Sequence, residues 1–161
     1  MSDIVLLDTT IYLNVLNVPG RNQQREEVFR HFELRVQNKD HFLLPMATIW
    51  ETGNHISRLS TGALRWQYAC KLAQSVSDAL QGQAPFSPTY FPNRETFLRW
   101  IDAFPDFSKS NKSPGKTAEG ISLSDLSIIK EWEHTRVLNT MTRVLIWSLD
   151  SDLAAYDTGV R

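Results

Sequence analysis

One stretch near the start constrains this chain more than any other: Ile4-Val5-Leu6-Leu7, followed at once by Asp8-Thr9-Thr10. Four apolar residues without a polar break read as a strand buried on both faces, the habit of a parallel sheet covered by helices. In open α/β sheets the chemistry sits just past the carboxyl ends of such strands. Asp8 therefore stands where an active site is built. The same signature returns late in the chain, where Val144-Leu145-Ile146-Trp147 runs into Ser148-Leu149-Asp150-Ser151-Asp152. Phe42-Leu43-Leu44-Pro45 reads as a further buried strand. These three runs are expected to be neighbouring parallel strands.

Helical patterns fill the intervals. Ile11, Leu13 and Val15-Leu16 suggest a short helix or turn stopped near Pro19-Gly20. Val28, Phe29, Phe32 and Val36 place an amphipathic surface helix over 22–38, with Arg25, Arg30 and Arg35 on its solvated face. A helix over about 61–81 has Leu64, Ala69, Leu72-Ala73, Val76 and Leu80 as its apolar stripe, with Gly82 closing it. Residues 84–92 hold three prolines among aromatics and read as a loop or an irregular edge strand. Asn93 can cap a helix through Phe97, Trp100-Ile101 and Phe104, ended by Pro105. Residues 105–120 are rich in Ser, Lys, Gly and Pro without apolar period, the signature of a flexible basic loop.

Two further acidic residues open helices. Glu51 follows Thr48-Ile49-Trp50 directly after the second strand, and Asp125 follows Ser122-Leu123-Ser124. Each has a structural reading as well as a chemical one. Thr48-x-x-Glu51 fits a capping box, and Ser122-x-x-Asp125 fits a capped first turn. His55, one turn beyond Glu51, reads as a packed or exposed histidine rather than a ligand. Asp8, Glu51, Asp125 and Asp150 all fall at one edge of the expected sheet, where like charges would disfavour their common ionisation. A hard divalent cation resolves this repulsion. Mg²⁺ takes oxygen ligands, and such an ion activates water and stabilises charge on a phosphoryl oxygen.

Composition narrows the alternatives. At 161 residues, 42% hydrophobic and 22% charged, the chain is one soluble globular domain. No apolar run approaches the roughly 18 residues of a membrane span, and the N-terminus enters the first strand with no signal peptide. The single Cys70 excludes an internal disulfide, makes a cytoplasmic protein the default, and reads as a buried inert thiol. A formal net charge of −1 argues against a broad electrostatic grip on nucleic acid, so a polyanion must be held locally. Lys109, Lys112 and Lys116 in the basic loop are the candidates for a backbone clamp, against a plain solvated loop. No zinc spacing, Walker-A loop or dinucleotide glycine motif is present. A haloacid-dehalogenase-type phosphatase would need Asp where Thr10 stands.

Taken in order, Leu6-Leu7-Asp8-Thr9-Thr10, Ala47-Thr48-Ile49-Trp50-Glu51, Leu123-Ser124-Asp125 and Ser148-Leu149-Asp150-Ser151-Asp152 resemble the PIN-domain family, with VapC-type toxins of toxin–antitoxin pairs as the closest likeness. The resemblance spans nearly the whole chain and implies a three-layer α/β/α sandwich with a mostly parallel sheet, acting as a metal-dependent endoribonuclease. It implies Asp8, Glu51, Asp125 and Asp150 as the acidic metal-binding set for Mg²⁺ or Mn²⁺, with Asp152 as a fifth ligand and Thr10 and Ser148 in support. It also implies an RNA substrate, a small antitoxin as partner and a homodimer. The runner-up is a PIN-like RNA- or protein-binding module with an idle site. Two features depart from the family: the segment 105–120 is long, and the chain stops at Arg161, where many relatives continue into a last short strand.

Overall fold

The computed structural model describes residues 1–158, so the stop at Arg161 lies outside the described residues. Four strands, β1 (Ile4–Leu7), β2 (His41–Leu44), β3 (Phe86–Pro88) and β6 (Val144–Trp147), form one sheet in the order β3-β2-β1-β6. Every pairing in it is parallel: β1 lies between β2 and β6, and β3 is the edge strand beside β2. The three apolar runs are thus the parallel neighbours their sequence implied. The prolines of 84–92 confine that segment to a three-residue edge strand.

Alternation along β1 divides the interior in two. Val5 and Leu7 point into one cluster with Phe42, Leu44 and Leu145, while Leu6 joins Val144 and Ile146 in the other. Helices α1 (Thr9–Val15), α2 (Arg25–Gln37), α3 (Met46–Ser57) and α4 (Gly62–Leu80) contribute to the first cluster through Ile11, Val28, Ile56 and Tyr68. On the opposite face α6 (Leu123–Leu138) and α7 (Ser151–Ala154) supply Ile128, Ile129, Trp132 and Leu153. The result is a three-layer α/β/α sandwich in which Val5, Leu6 and Leu7 of β1 meet no water on either face. Tyr156 and Thr158 hydrogen-bond along the free edge of β6.

Several local expectations are corrected. The segment 105–120 is not a structureless loop. Its first residues complete α5 (Arg94–Ser108), which runs through Pro105, and the rest forms an antiparallel hairpin of β4 (Asn111–Ser113) and β5 (Lys116–Gly120). Pro105 does not end α5: the helix continues past it, and the Pro105 carbonyl accepts from the Lys109 amide and the Ser108 hydroxyl in the final turn. Arg25 and Arg35 are not solvated. Arg25 donates to the last carbonyls of α1 at Asn14 and Val15, at 2.6 and 2.9 Å. Arg35 pairs with Asp40 at 3.2 Å and lies over the Trp147 ring. Cys70 is exposed, and so are Ala69, Ala73 and Leu80, because the face of α4 that packs inward runs through Leu64, Tyr68, Leu72 and Ala79.

A polar clamp joins the strand ends to α6. The Thr89 hydroxyl accepts from the Met46 amide at 3.2 Å and donates to Glu131 Oε1 at 2.9 Å, while Glu131 Oε2 is buried without a partner. Burial pushes the Glu131 carboxyl up to about 7, opposed by the bond from Thr89. Since the folded state holds this proton more tightly than the unfolded chain, stability is full below about pH 4.5 and declines as pH rises towards 7. The decline should amount to roughly 3–4 kcal/mol. Glu131→Gln should therefore match the parent near pH 4 and exceed it by about that amount at pH 8 in denaturant unfolding; parallel curves for the two proteins would contradict the argument.

Candidate active site

The carboxyl ends of β1 and β6 face a switch in strand order, since the chain leaves β1 towards β2 but returns as β6 on its other side. Such a crevice is where open α/β sheets bind their ligands. A cleft of about 640 Å³ opens there, lined by Asp8, Glu51, Asp125 and Asp150 among others.

Asp8 extends the strand ladder by donating its amide to the Trp147 carbonyl at 3.0 Å, then caps α1 with its side chain. Its buried Oδ2 accepts from two hydroxyls, Ser148 Oγ at 2.7 Å and Thr10 Oγ1 at 2.9 Å. Those hydroxyls lie 3.3 Å apart, and each has only one proton, so with both given to Asp8 neither serves the other. Each in turn accepts a backbone amide: Leu149 donates to Thr10, and Asp150 donates to Ser148. Two strand ends are stitched together through one carboxylate.

Glu51 comes from α3, and its capping reading does not hold. The helix begins at Met46 after Pro45, so Thr48 lies inside it, buried, and donates to the Leu7 carbonyl at 2.8 Å. That bond pins α3 to the end of β1 and turns Glu51 towards the cleft, where Thr9 donates to its Oε2 at 2.9 Å. Burial raises the Glu51 carboxyl above its usual range. Thr9 works against this, while the charges of Asp125 and Asp8 add to it. Asp125 lies in the first turn of α6, where the capping expectation does hold, since Ser122 Oγ accepts the Asp125 amide at 3.0 Å. Its carboxylate nevertheless turns into the cleft.

Lysines complete the picture. Lys112 Nζ stands between Asp125 Oδ2 and Asp150 Oδ2, at 3.5 and 3.3 Å, and Lys116 Nζ between Asp150 Oδ1 and Asp152 Oδ2, at 2.9 and 3.2 Å. Burial would lower the Lys112 amine, but Asp125 and Asp150 outweigh it and raise it. Burial of Asp125 outweighs Lys112, so that carboxyl is raised. Asp150 is less buried and has both lysines, and these hold it at about 2 against its burial. Asp150 also caps α7, and Asp152 keeps one buried oxygen without a partner. Lys109, by contrast, is exposed and paired with Asp106 at 2.8 Å. His55 lines the cleft, and its burial, with Arg21 and Arg58, favours the neutral ring.

The donor set is all oxygen, which suits a hard cation, and an ammonium group already stands among these carboxylates. In this arrangement no three carboxylate, histidine or cysteine side chains among the described residues converge as metal ligands. Sequence reasoning passed over Thr9, which holds Glu51, and placed Lys112 and Lys116 on a flexible basic loop, as a backbone clamp or a solvated segment. Nothing in the local pattern of 105–120 signals that a hairpin folds them inward.

No protein-family model matches the sequence, and no curated protein does. The fold is shared with a chain in the crystal structure of FitAcB from Neisseria gonorrhoeae, with a TM-score of 0.56. The two are 17% identical, over 94% of this chain and 91% of that one. At that identity the likeness is one of fold, and the parallel four-stranded sheet flanked by helices is PIN-like. No helix among the described residues is long and apolar enough to cross a membrane.

Removing one of the two hydroxyls tests the stitch at Asp8. Ser148→Ala should lower unfolding free energy by about 2 kcal/mol, since a buried carboxylate loses a donor and the Asp150 amide its acceptor. Thr10→Ser keeps its hydroxyl and should stay within about 0.5 kcal/mol of the parent. Equal losses in chemical unfolding would show that packing, rather than hydrogen bonding, holds this corner.

Proposed function

We propose that this protein is a divalent-metal-dependent endoribonuclease, with Asp8, Glu51, Asp125 and Asp150 as the acidic set that takes Mg²⁺ or Mn²⁺ and Asp152 beside it. The observation that carries this reading is that Asp8, Glu51, Asp125 and Asp150 line one cleft at the sheet's switch point. A bound divalent ion supplies a water of lowered pKa and positive charge for a phosphoryl oxygen. The chain's own groups have separable tasks. Ser148 and Thr10 hold Asp8 in one orientation, and Thr9 does the same for Glu51, which binds metal or positions the attacking water. Lys109, Lys112 and Lys116 lie on the segment suited to a phosphate backbone, which fits a chain whose overall charge gives no general attraction to RNA.

The motif order supports a toxin of the VapC type, with a small antitoxin as partner and a homodimer as the assembly. A protein partner would find apolar surface on α5, where Phe97, Leu98 and Ile101 are exposed, and on the ring pair Trp50–Phe91. A second reading, a non-catalytic binding module of the same fold, is favoured by one observation: the lysines occupy carboxylates that a metal would need.

Incubation with total RNA decides between them. Cleavage should appear with Mn²⁺ or Mg²⁺ and stop on chelation. Asp8→Asn and Asp150→Asn should each lower it by more than the roughly 10–100-fold typical of losing a group that merely supports a ligand. RNA left intact by the parent protein with either ion would favour the binding module.

A further inference from the structure

The hairpin of β4 and β5 stands apart from the main sheet, since its strands pair only with each other. Its base is anchored, because Gly120 packs so closely on the end of α5 that a Cβ there would lie 2.3 Å from the Ser108 carbonyl oxygen. Beyond the base it buries little, and β5 is exposed from Thr117 to Gly120. What ties it across the cleft is charge. Lys112 of β4 reaches carboxylates at the start of α6 and the end of β6, and Lys116 of β5 reaches Asp150 and Asp152. Two ammonium groups on one arm thus engage three carboxylates carried by two other elements.

We infer that the β4–β5 hairpin is a latch over the acidic cleft, whose lysines and a divalent cation compete for Asp125 and Asp150. This rests on the metal-site reading above and adds regulation to it. With the latch closed, both lysines are engaged by carboxylates and form part of the lining of the cleft. With a cation on those carboxylates Lys112 loses both partners and Lys116 keeps only Asp152, so the arm is held by its base and one ion pair and opens more readily. A divalent cation and two ammonium groups gathered on the same acids repel one another, so the population of the closed form lowers the apparent metal affinity. An arm with few apolar contacts belongs to the least stable part of a fold, which makes such opening inexpensive.

The test uses the full chain and Mn²⁺ alone, read by titration calorimetry and by hydrogen exchange of the amides in 111–120. If the latch is closed in about nine molecules of ten, the apparent Kd is about tenfold above the intrinsic one. Lys112→Met, and the double variant with Lys116→Met, should then bind Mn²⁺ about tenfold more tightly, with Lys109→Met unchanged. Exchange in the hairpin should quicken when Mn²⁺ is added to the parent, and should already be fast in the double variant without it. Equal affinities with unchanged exchange would overturn the latch and leave the metal site standing. Tighter binding with unchanged exchange would also overturn it, since the lysines would then be fixed charges on an immobile arm. Absence of Mn²⁺ binding in every protein, the double variant included, would overturn the metal reading and the latch with it.

Discussion

Burial of Val5, Leu6 and Leu7 of β1 between two parallel neighbours is the constraint on which the rest depends. Val5, Leu6 and Leu7 have no exposed surface, so both faces of the strand must be covered by helices, and both sets of helices must return to the same sheet. Parallel connections of this kind require long crossovers. With β2 on one side and β6 on the other, the crossovers diverge at the carboxyl end of β1 and leave a crevice there. Asp8 is the first residue past the strand, yet its amide still belongs to the ladder through Trp147. Its carboxylate is therefore placed by backbone hydrogen bonds rather than by a flexible loop.

The crevice then faces an electrostatic difficulty of its own making. Four carboxylates enter it from β1, α3, α6 and the end of β6, and burial of Glu51 and Asp125 raises both above their ordinary range. The protein meets this in two ways. On the β1 side neutral hydroxyls are used, with Ser148 and Thr10 turned on Asp8 and Thr9 on Glu51. On the β6 side positive charge is used, with Lys112 and Lys116 around Asp150. Hydroxyl donors stabilise a carboxylate without removing its net charge, so the β1 side keeps its demand for a cation. On the β6 side the ammonium groups supply positive charge directly.

Away from the cleft, charge is used for construction. Arg25 closes the carbonyl end of α1, and Arg143 joins Asp3 at 3.0 Å, tying the segment before β1 to the segment before β6. The Arg143–Asp3 pair lies at the opposite end of the sheet from the acidic cleft, whereas Asn14, a partner of Arg25, lines the cleft.

What the sequence determined by itself was whatever depends on short-range pattern. Unbroken apolar runs at Ile4–Leu7, Phe42–Leu44 and Val144–Trp147 require burial on both faces, and that requirement alone yields parallel neighbours and a common edge for the acids that follow. Capping was legible where the donor and acceptor lie within one turn, as at Ser122 with Asp125 and Asn93 with Thr96. It misled at Thr48, because a hydroxyl three residues before Glu51 looks alike whether it caps a helix or reaches another strand. Only the tertiary structure decided that Thr48 binds Leu7, that Arg25 and Arg35 turn inward, and that Cys70 turns outward. The same holds for Lys112 and Lys116. Their local sequence is polar and without period, and the carboxylates that draw them in, Asp125, Asp150 and Asp152, include residues more than thirty positions away. Attraction between charges acts through space, and no window of neighbouring residues carries that information.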